Sequence, residues 1–374
     1  MMKQPAQTSL PKSLIRTAIL KWGEQHGRDY FPWQAPHTPY KTWISEIMLQ
    51  QTQAARVSVY FQRFIARWPS IEALAQADID EIFNHWTGLG YYNRAANIYK
   101  TAQLVVEQYQ GALPQNIDEL CKLPGIGRST AGAIRSLGFG LNAPILDGNV
   151  RRLLGRLNMI SGKPASRAME QAYWHLSEQL LPSDPNQHRL FNQTLMDLGA
   201  LICTARQPKC TSCPLNKWCQ AFHNDQVEAF PVTPSRYRKQ QGQLKPPRRT
   251  ERRFFLIAQH GEQILLEKRP NFGIWQGLWC PPEFTDQASL ERFAKQLGLD
   301  PQRLIAQLCL RHVLSHFDLE IMPMVGQVTT IPKSVATAAQ QQWYTLDSQS
   351  VGLPAPMLSL CQQVIYEKSV LSKI

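Results

Sequence analysis

The chain has 374 residues, which suits two or three domains, and 43% of them are hydrophobic, enough for more than one core. Its 40 Lys and Arg outnumber its 28 Asp and Glu, for a formal net charge of +12. This excess favours a polyanionic partner, nucleic acid before an anionic membrane. Ten Trp, eleven Tyr and fourteen Phe exclude a disordered chain. No apolar run reaches the ~20 residues that span a bilayer, and no signal-peptide pattern is present. We therefore expect a cytoplasmic protein with no membrane partner.

Residues 1–225 have the periodicity of helices. Apolar residues between Leu14 and Trp22 recur at helical spacing, and this first pattern ends at Gly23 and Gly27. Further helices are predicted at 42–67, 71–87, 93–110, 116–123, 129–137, 149–157, 167–181 and 189–201. Pro, Gly and Asn occupy most of the breaks, so we predict an all-α region.

The composition changes after residue 225. Residues 226–250 are rich in Pro, Lys and Arg and predict a basic linker. Strands at 253–258 and 264–267, on either side of a polar turn, then predict a β-hairpin. Further strands are predicted at 311–315, 318–323 and 341–345, with a helix at 289–297. Residues 251–374 are therefore predicted to form a separate α+β domain.

Four of the eight cysteines lie within seventeen residues, in the pattern C-x6-C-x2-C-x5-C. They are Cys203, Cys210, Cys213 and Cys219. Four thiolates in one short loop can converge on one metal centre, and the spacing alone leaves zinc and an iron–sulfur cluster open. The other four stand singly among apolar residues and are expected to be buried. They are Cys121, Cys280, Cys309 and Cys361.

A short turn between two predicted helices carries two glycines. Leu123-Pro124-Gly125-Ile126-Gly127 ends one helix at the proline and turns sharply at the glycines before the next helix. The free backbone N–H groups at the start of that helix would form a nest for a phosphate. An ordinary corner between two helices is the alternative interpretation. The string resembles the helix-hairpin-helix of DNA-repair proteins, which grips phosphates without sequence specificity, and here it would span 116–137.

Several further motifs accompany this hairpin. They are Ile-Leu-Asp-Gly-Asn-Val-Arg at 145–151, Trp-Ile-Ser-Glu-Ile-Met-Leu-Gln-Gln-Thr-Gln at 43–53, Thr-Gly-Leu-Gly-Tyr-Tyr-Asn-Arg-Ala at 87–95, Gly-Ile-Trp-Gln-Gly-Leu-Trp at 273–279 and Arg-His-Val-Leu-Ser-His at 311–316. Together with the cysteine loop they resemble the MutY-type adenine DNA glycosylases of the helix-hairpin-helix/iron–sulfur superfamily. The resemblance covers nearly the whole chain, the linker excepted.

The resemblance implies a multidomain fold. An all-α helix-hairpin-helix glycosylase domain with a [4Fe–4S] cluster loop would be followed by an α+β Nudix-like domain. The catalytic region, 1–225, would contain a six-helix module at about 28–143. The cluster module would combine the N-terminal helix with about 144–225. The cofactor implied is a [4Fe–4S] cluster on the four clustered cysteines.

The resemblance also implies the reaction and the partner. The enzyme would flip adenine out of duplex DNA that contains an A:8-oxoguanine or A:G mispair, and would hydrolyse its N-glycosidic bond. It would act as a monomer at the bacterial nucleoid, and the sequence identifies no protein partner. Two alternatives stay open: an endonuclease III-like glycosylase/lyase for oxidised pyrimidines, and a non-catalytic iron–sulfur DNA-binding protein.

Two carboxylates are the predicted catalytic groups. Glu46 lies in a strongly apolar helical stretch, where desolvation should raise its pKa and make it a general acid for N7 of adenine. A Glu paired with Lys or Arg is the alternative. Asp147 precedes a helix, so it suits a helix cap as well as stabilisation of, or attack on, the developing sugar cation. By resemblance, Asn149 would help to hold the sugar or the water.

The remaining site residues of this first region are carried over by resemblance. Gln51 and Tyr91 would wedge into the DNA and contact the opposite base, although a surface Gln and a core Tyr are the plainer interpretations. Gln193 would contact the adenine edge. The other predicted DNA- or substrate-binding residues are Arg28, Trp33, Thr52, Gly125, Gly127 and Ser129. Enzymes of the endonuclease III type have a lysine in place of Ser129, so we expect no efficient strand cleavage here.

The last domain is expected to recognise a base. By resemblance, Ser315 and His316 would contact 8-oxoguanine, although the family's usual Phe before this pair is Leu314 here, which puts an aromatic contact in doubt. A catalytic Nudix box needs closely spaced glutamates for Mg²⁺, whereas the stretch that follows Gly277 offers only Glu283 and Glu291, far apart. We therefore expect no nucleotide hydrolysis.

Overall fold

A computed structural model describes residues 10–244, 247–332, 340–346 and 351–371 of the chain, with side chains described up to residue 365. The predicted domain 251–374 therefore includes short stretches outside the described residues. The chain divides into two compact units. The first comprises residues 1–75 and 100–245, and the second comprises residues 76–99 and 246–374. Among the described residues, no helix is long and apolar enough to cross a membrane.

The first unit is helical. Its helices are α1 (Lys12–His26), α2 (Pro39–Leu49), α3 (Ala54–Arg67), α4 (Ile71–Ala75), α7 (Ile117–Lys122), α8 (Arg128–Ala133), α9 (Gly148–Leu157), α10 (Arg167–Leu180), α11 (His188–Leu201), α12 (Gln220–His223) and α13 (Pro234–Gln240). Helices α1, α9, α10 and α11 enclose one apolar core, which includes Ile15, Leu154, Tyr173 and Leu195. Side chains of residues that favour helix N-termini cap several of the helices, as Ser166 does for α10.

The helix predicted over 42–67 is two helices. It breaks between α2 and α3 because Gln51 adopts a positive φ of 57°. Only a left-handed residue turns the chain so abruptly, and helical periodicity on both sides hides it. The break leaves Gln51 exposed at the surface.

The hairpin between α7 and α8 has the predicted form. Asn116 caps α7, and Gly125 takes a positive φ of 78° in the turn. Gly127 is the N-cap of α8, and a Cβ added there would meet no atom within 4 Å. A side chain at position 127 would thus not be blocked by other parts of the described structure. The predicted helix at 129–137 continues past α8 as a π-helical turn, Ile134–Gly138.

The stretch predicted as a linker contains structure. Pro234 begins helix α13, and the hydroxyl of Thr233 accepts a hydrogen bond from the amide of Arg236 at 3.3 Å. A proline in the first turn and a threonine cap favour a helix even in a short basic segment. The first strand also begins earlier than predicted, at Arg249.

The second unit is built on one mixed sheet. Its strands are β1 (Arg249–His260), β2 (Gln263–Lys268), β3 (Trp279–Cys280), β4 (Glu283–Phe284), β5 (Ile305–Ala306), β6 (Leu310–Val313), β7 (Phe317–Gln327) and β8 (Gln341–Thr345). The main order is β3-β2-β1-β7-β5, with β4 beside β1, β6 beside β7 and β8 beside β2. Strands β1 and β7 are parallel, and the predicted β1–β2 hairpin is present.

Alternate side chains of β1 and β2 face two separate cores. Phe255 and Ile257 pack with the C-terminal helix α15 (Ala355–Leu371), whereas Leu256 and Ala258 pack with α14 (Gln287–Gln296). The period of two along a strand produces this division, so the sheet is covered on both faces.

Residues 76–99 belong to this second unit. They form α5 (Ile79–Trp86) and the first part of α6 (Asn93–Tyr109), which continues into the first unit. Asp80 Oδ2 accepts hydrogen bonds from Lys268 Nζ at 2.9 Å and from Trp279 Nε1 at 3.1 Å. The carbonyl oxygen of Leu353 accepts one from the Tyr92 hydroxyl at 3.0 Å. These bonds join the segment to the sheet region.

The four single cysteines differ in burial. Cys280 and Cys361 are buried, as expected, but Cys121 and Cys309 are exposed. The expectation was wrong for these two because an apolar neighbourhood in sequence does not decide which face of a short helix or loop the side chain takes.

Candidate functional site

A cavity of about 450 Å³ opens in the first unit. Seven predicted site residues line it: Arg28, Trp33, Glu46, Thr52, Asp147, Asn149 and Gln193. Distant parts of the sequence thus contribute to one concave space, which is lined by polar and charged side chains together with apolar ones such as Phe31, Leu49 and Met196. Gln51, the hairpin residues and the residues of the second unit are not among its lining residues.

Glu46 lies on α2 with its side chain at the cavity. Trp43, Ile44, Ile47 and Met48 of the same helix are almost fully buried, which fixes the helix against the core. Glu46 keeps some accessible surface because it faces the cavity. Burial, followed by the nearby charge of Asp147, raises its pKa to about 8. The carboxyl is therefore protonated at neutral pH and can donate a proton.

Asp147 is held by two hydrogen bonds at the N-terminus of α9. Its Oδ1 accepts from the amide of Val150 at 2.7 Å, which is the expected helix cap. Its Oδ2 accepts from Asn149 Nδ2 at 2.9 Å. The carboxylate is thus oriented in advance, with little freedom to rotate.

Arg152 extends this chain of contacts, and sequence reasoning missed it. Its Nη2 donates to Asn149 Oδ1 at 2.8 Å and also to the carbonyl oxygen of Gly199. Its Nε donates to the carbonyl oxygen of Cys203 at 2.6 Å. Gly199 allows α11 to lie close to the start of α9, because a Cβ at position 199 would be only 2.7 Å from Asn149 Cβ. The sequence does contain a sign of this contact: Asn149 and Arg152 are three residues apart on one helix, and such residues are neighbours on its surface.

Asp197 is a second residue that was missed. It is fully buried and accepts from Arg28 Nη2 at 2.7 Å and Nε at 2.9 Å, and from Gln193 Nε2 at 3.0 Å. One carboxylate therefore orients both predicted pocket residues. Trp33 is buried beside them and stacks on Phe31 with ring centroids 4.7 Å apart.

His37 also lines the cavity without having been predicted. Burial and the positive charge of Arg189 lower its pKa. At neutral pH the imidazole is uncharged, so it adds a hydrogen-bonding group to the cavity but no positive charge.

The four clustered cysteines line one apolar hollow, together with Leu153, Leu157 and Leu215. Arg156 Nη1 lies 3.3 Å from Cys203 Sγ and also donates to the Thr204 carbonyl at 2.7 Å. Burial raises the pKa of the Cys213 thiol to about 12, so a cationic centre is needed to deprotonate it. In the described part of the chain, no three His, Cys, Asp or Glu side chains are close enough to hold a single metal ion. Four thiols that line one hollow are the donor set that an iron–sulfur cluster takes, since such clusters are held by Cys thiolates.

Ser129 lies next to the segment that leads to Asp147. Its hydroxyl accepts a hydrogen bond from the amide of Leu146 at 3.2 Å. The position after the hairpin glycines thus adjoins the catalytic candidate in space, although about twenty residues separate them in sequence. The predicted phosphate nest at Gly125 and Gly127 is formed by the same turn.

The remaining predicted residues lie in the second unit. Tyr91 has a positive φ of 50° and is 48% exposed, so it is not a core residue. Ser315 and His316 are exposed at the turn between β6 and β7. Leu314 is partly buried and packs against the core of this unit, so at least part of its side chain is directed away from the exposed pair.

The two glutamates of the stretch that follows Gly277, Glu283 and Glu291, are bound to other side chains. Glu283 pairs with Arg253 at 3.2 Å and with Arg269, and Glu291 accepts from Gln287 at 2.9 Å. Glu283 is ion-paired, Glu291 is bound to a neutral amide, and the two are separated, so they do not form the closely spaced set that a catalytic Nudix box requires.

Three family models match the chain. Residues 44–179 match the HhH-GPD superfamily of base excision DNA repair proteins. Residues 203–219 match the iron–sulfur binding domain of endonuclease III, and these bounds coincide with the first and last clustered cysteines. Residues 253–363 match a NUDIX domain.

Relatives match over most of the length. Adenine DNA glycosylase of Buchnera aphidicola subsp. Baizongia pistaciae is 39% identical over 92% of this chain and 95% of its own. Adenine DNA glycosylase of Homo sapiens is 34% identical over 88% of this chain and 71% of its own. A solved thermostable thymine-DNA glycosylase is 31% identical, with a TM-score of 0.52 over 57% of this chain and 97% of its own.

Proposed function

Because this chain belongs to the family of adenine DNA glycosylases, we propose that it excises adenine paired with 8-oxoguanine, or with guanine, from duplex DNA. As a base-excision-repair glycosylase it hydrolyses the N-glycosidic bond of adenine, and it carries a [4Fe–4S] cluster. The observation that carries the proposed mechanism is the raised pKa of Glu46 beside Asp147 in the cavity.

Glu46 acts as the general acid. Adenine is a poor leaving group until it is protonated, and Glu46 is protonated at neutral pH because its surroundings disfavour the ionised form. Donation of its proton to N7 of the flipped adenine allows the base to leave as a neutral molecule. Asp147 disfavours ionisation of Glu46 further, so the two carboxyls take different roles.

Asp147 stabilises the sugar. Departure of the base leaves positive charge on the deoxyribose, and a carboxylate fixed by Val150 and Asn149 needs no reorganisation to oppose it. The side-chain amide of Asn149 donates a hydrogen bond to Asp147 through its nitrogen and accepts one from Arg152 through its oxygen. It therefore fixes the carboxylate that faces the sugar, and its predicted contact with sugar or water stays a prediction.

The cavity wall selects the base. Arg28 and Gln193 share the buried Asp197, which leaves their free polar atoms in set directions for the edge of adenine. Trp33 offers an aromatic surface at the cavity for the face of the purine. Thr52 completes the lining on the side of the α2–α3 break.

The DNA is held outside the cavity. The nest at Gly125 and Gly127 binds a phosphate, and Gln51 and Tyr91 occupy the space that the flipped adenine leaves and contact the opposite base. Both have positive φ and are exposed, as wedge residues on tight turns must be. The cluster, when bound, unites the thiolates of the 203–219 loop and so holds its basic residues toward the backbone. The enzyme acts as a monomer, at the nucleoid of the cytoplasm.

Ser129 makes the enzyme monofunctional. Its position adjoins the Leu146–Asp147 segment, where an amine could reach C1′, but a hydroxyl cannot form the imine that strand cleavage requires. The endonuclease III-like alternative needs that amine. Ser315 and His316 then distinguish 8-oxoguanine from guanine through hydrogen bonds at the exposed turn.

One assay tests the substrate. Duplexes with A opposite 8-oxoguanine, A opposite guanine, or an oxidised pyrimidine are incubated with the protein, and strand breaks are counted before and after alkali. We expect breaks only after alkali and only with the two adenine duplexes. Ser315→Ala with His316→Ala should reduce the preference for 8-oxoguanine about tenfold or more, since each base-edge hydrogen bond contributes ~1–3 kcal/mol. Breaks without alkali, or cleavage of the pyrimidine duplex, would contradict the proposal.

A further inference from the structure

The turn between β6 and β7 has two residues at its tip, Ser315 and His316. Val313 and Asp318 are paired across the strands, and the amide of Leu314 donates to the carbonyl oxygen of Phe317 at 3.0 Å. The ends of so short a turn dictate the conformation of its tip. A contact that fixes Leu314 and Phe317 therefore also fixes the exposed residues between them, Ser315 and His316.

Arg248 contacts both ends of this turn. It lies just before β1, and its Nη2 donates to the carbonyl oxygens of Leu314 at 2.6 Å and Phe317 at 3.2 Å. Its Nε donates to Asp318 Oδ1 at 2.8 Å. A guanidinium is a rigid planar fork, so three acceptors bound to one guanidinium are fixed relative to one another.

Asp318 anchors that guanidinium. Its side chain is 2% exposed, and its second oxygen accepts a hydrogen bond from Arg311. Hydrogen bonds from Arg311 and Arg248 lower the pKa of Asp318, so it stays ionised at neutral pH. Arg311 binds one oxygen of this buried carboxylate and Arg248 binds the other, and a buried oxygen left without a donor is costly, which keeps Arg248 in place.

We propose that Arg248 is a positioning residue, which holds the Ser315–His316 tip in the conformation that contacts the base opposite adenine. This inference rests on the recognition role proposed for that pair. Arg248 itself does not contact the base. It acts through two backbone carbonyls and one buried carboxylate, and the packing of Leu314 into the core supports the same end of the turn from its other side.

The test compares two arginines that each bind a carboxylate of β7: Arg248, just before β1, and Arg252, within β1. Arg248→Met keeps the apolar stem and removes the fork. Arg252→Met is the matched control, because Arg252 is 62% exposed and pairs with Glu320 at 3.1 Å, further along the same strands. Dissociation constants for A:8-oxoguanine and A:G duplexes are measured at one salt concentration with full-length protein, together with hydrogen exchange of the Leu314 amide.

We expect Arg248→Met to lower the A:8-oxoguanine preference about threefold to tenfold, because a loosened tip misplaces both hydrogen-bonding groups. The Leu314 amide should exchange faster in this variant only. Arg252→Met should keep the wild-type preference. If Arg248→Met folds poorly, Arg248→Lys keeps the charge without the fork and should show the same change to a smaller degree.

The double variant Ser315→Ala/His316→Ala separates two kinds of failure. If it loses the preference while Arg248→Met and Arg248→Lys keep it, with a protected Leu314 amide, the positioning role is wrong and the recognition role stands. If the double variant keeps the wild-type preference, the recognition role is wrong and the positioning role is overturned with it.

Discussion

In the cavity of the helical unit, Glu46 is desolvated beside Asp147, and its pKa rises to about 8. At the β6–β7 turn, Asp318 is also buried, but two arginines bond to it and its pKa falls. The first carboxyl is kept neutral, as its proposed role as an acid requires, whereas the second is kept charged and binds two arginines. Burial alone thus does not determine what a carboxyl does; its partners determine which protonation state survives.

The recognition and chemical residues differ in exposure for a related reason. The chemical groups line a cavity, where a low dielectric strengthens their effect on a developing charge. Ser315 and His316 are exposed, which suits their proposed contact with a base that stays in the DNA. The precision of such a contact has to come from the residues that hold the turn.

The largest effect is expected from the two cavity carboxyls. Glu46→Gln and Asp147→Asn should each lower the single-turnover excision rate by at least ~100-fold, the scale of a lost acid or charge contribution, while DNA binding persists. Quenched-flow or manual single-turnover assays on A:8-oxoguanine duplexes measure this rate. A rate within tenfold of wild type for either variant would remove that residue from the chemistry.

Removal of the charge at Glu46 and at Asp318 should change the free energy of unfolding in opposite directions at neutral pH. Since the pKa of Glu46 rises from 4.5 to about 8 on folding, the wild type loses stability as pH increases through this window. Glu46→Gln should therefore be more stable than wild type by about 3 kcal/mol at pH 7, with no difference below pH ~4.5, at 1.36 kcal/mol per pKa unit.

Asp318→Asn should behave in the opposite way. Because folding lowers the pKa of Asp318, the ionised carboxylate stabilises the folded protein at any pH above the ordinary pKa of an aspartate. This stabilisation is lost as the pH falls through the lower pKa of the folded state. The variant should be less stable than wild type at neutral pH, and the difference should shrink in acid. Urea unfolding from pH 4 to 8 measures both variants, and equal signs for the two would contradict the contrast drawn above.

Loss of one cluster cysteine should weaken DNA binding about tenfold or more, on the scale that disturbed metal sites show. Cys210→Ser should lose the brown colour of the cluster, and the loop with Arg206, Lys209 and Lys217 would lose its support. Iron analysis and binding titrations measure these changes, with Cys309→Ser, an exposed cysteine of the second unit, as the control. One zinc and no iron in anaerobically purified wild type would overturn the cluster assignment.

A smaller effect on the excision rate is expected at Arg152. Arg152→Met should lower the excision rate about fivefold to tenfold, because Asn149 and through it Asp147 lose an orienting partner. Arg151→Met is the matched control, since the neighbouring Arg151 pairs with Glu170 instead, at 2.7 Å. Equal rates for the two variants would show that the Arg152 contact is only structural.

Much of the fold followed from local pattern. Helical period, caps and the glycine turn predicted most helices of the first unit, and alternation predicted the β1–β2 hairpin and the strand at 341–345. The helix over 42–67 was predicted without its break, because a single left-handed residue leaves the apolar period unchanged. Helix α13 was missed since a basic, proline-containing segment is typical of linkers.

The sequence by itself determined the four thiols within one loop, the excess of positive charge, and an acid placed in an apolar helix. These are local features, set by neighbours along the chain. Tertiary structure alone decided that Asp147 adds its charge to Glu46, about a hundred residues away, and that Asp197 orients both Arg28 and Gln193. It also decided that Arg248 reaches the turn after β6. Such pairings depend on which surfaces pack together, and desolvation, which shifts the pKa values, exists only once they have packed.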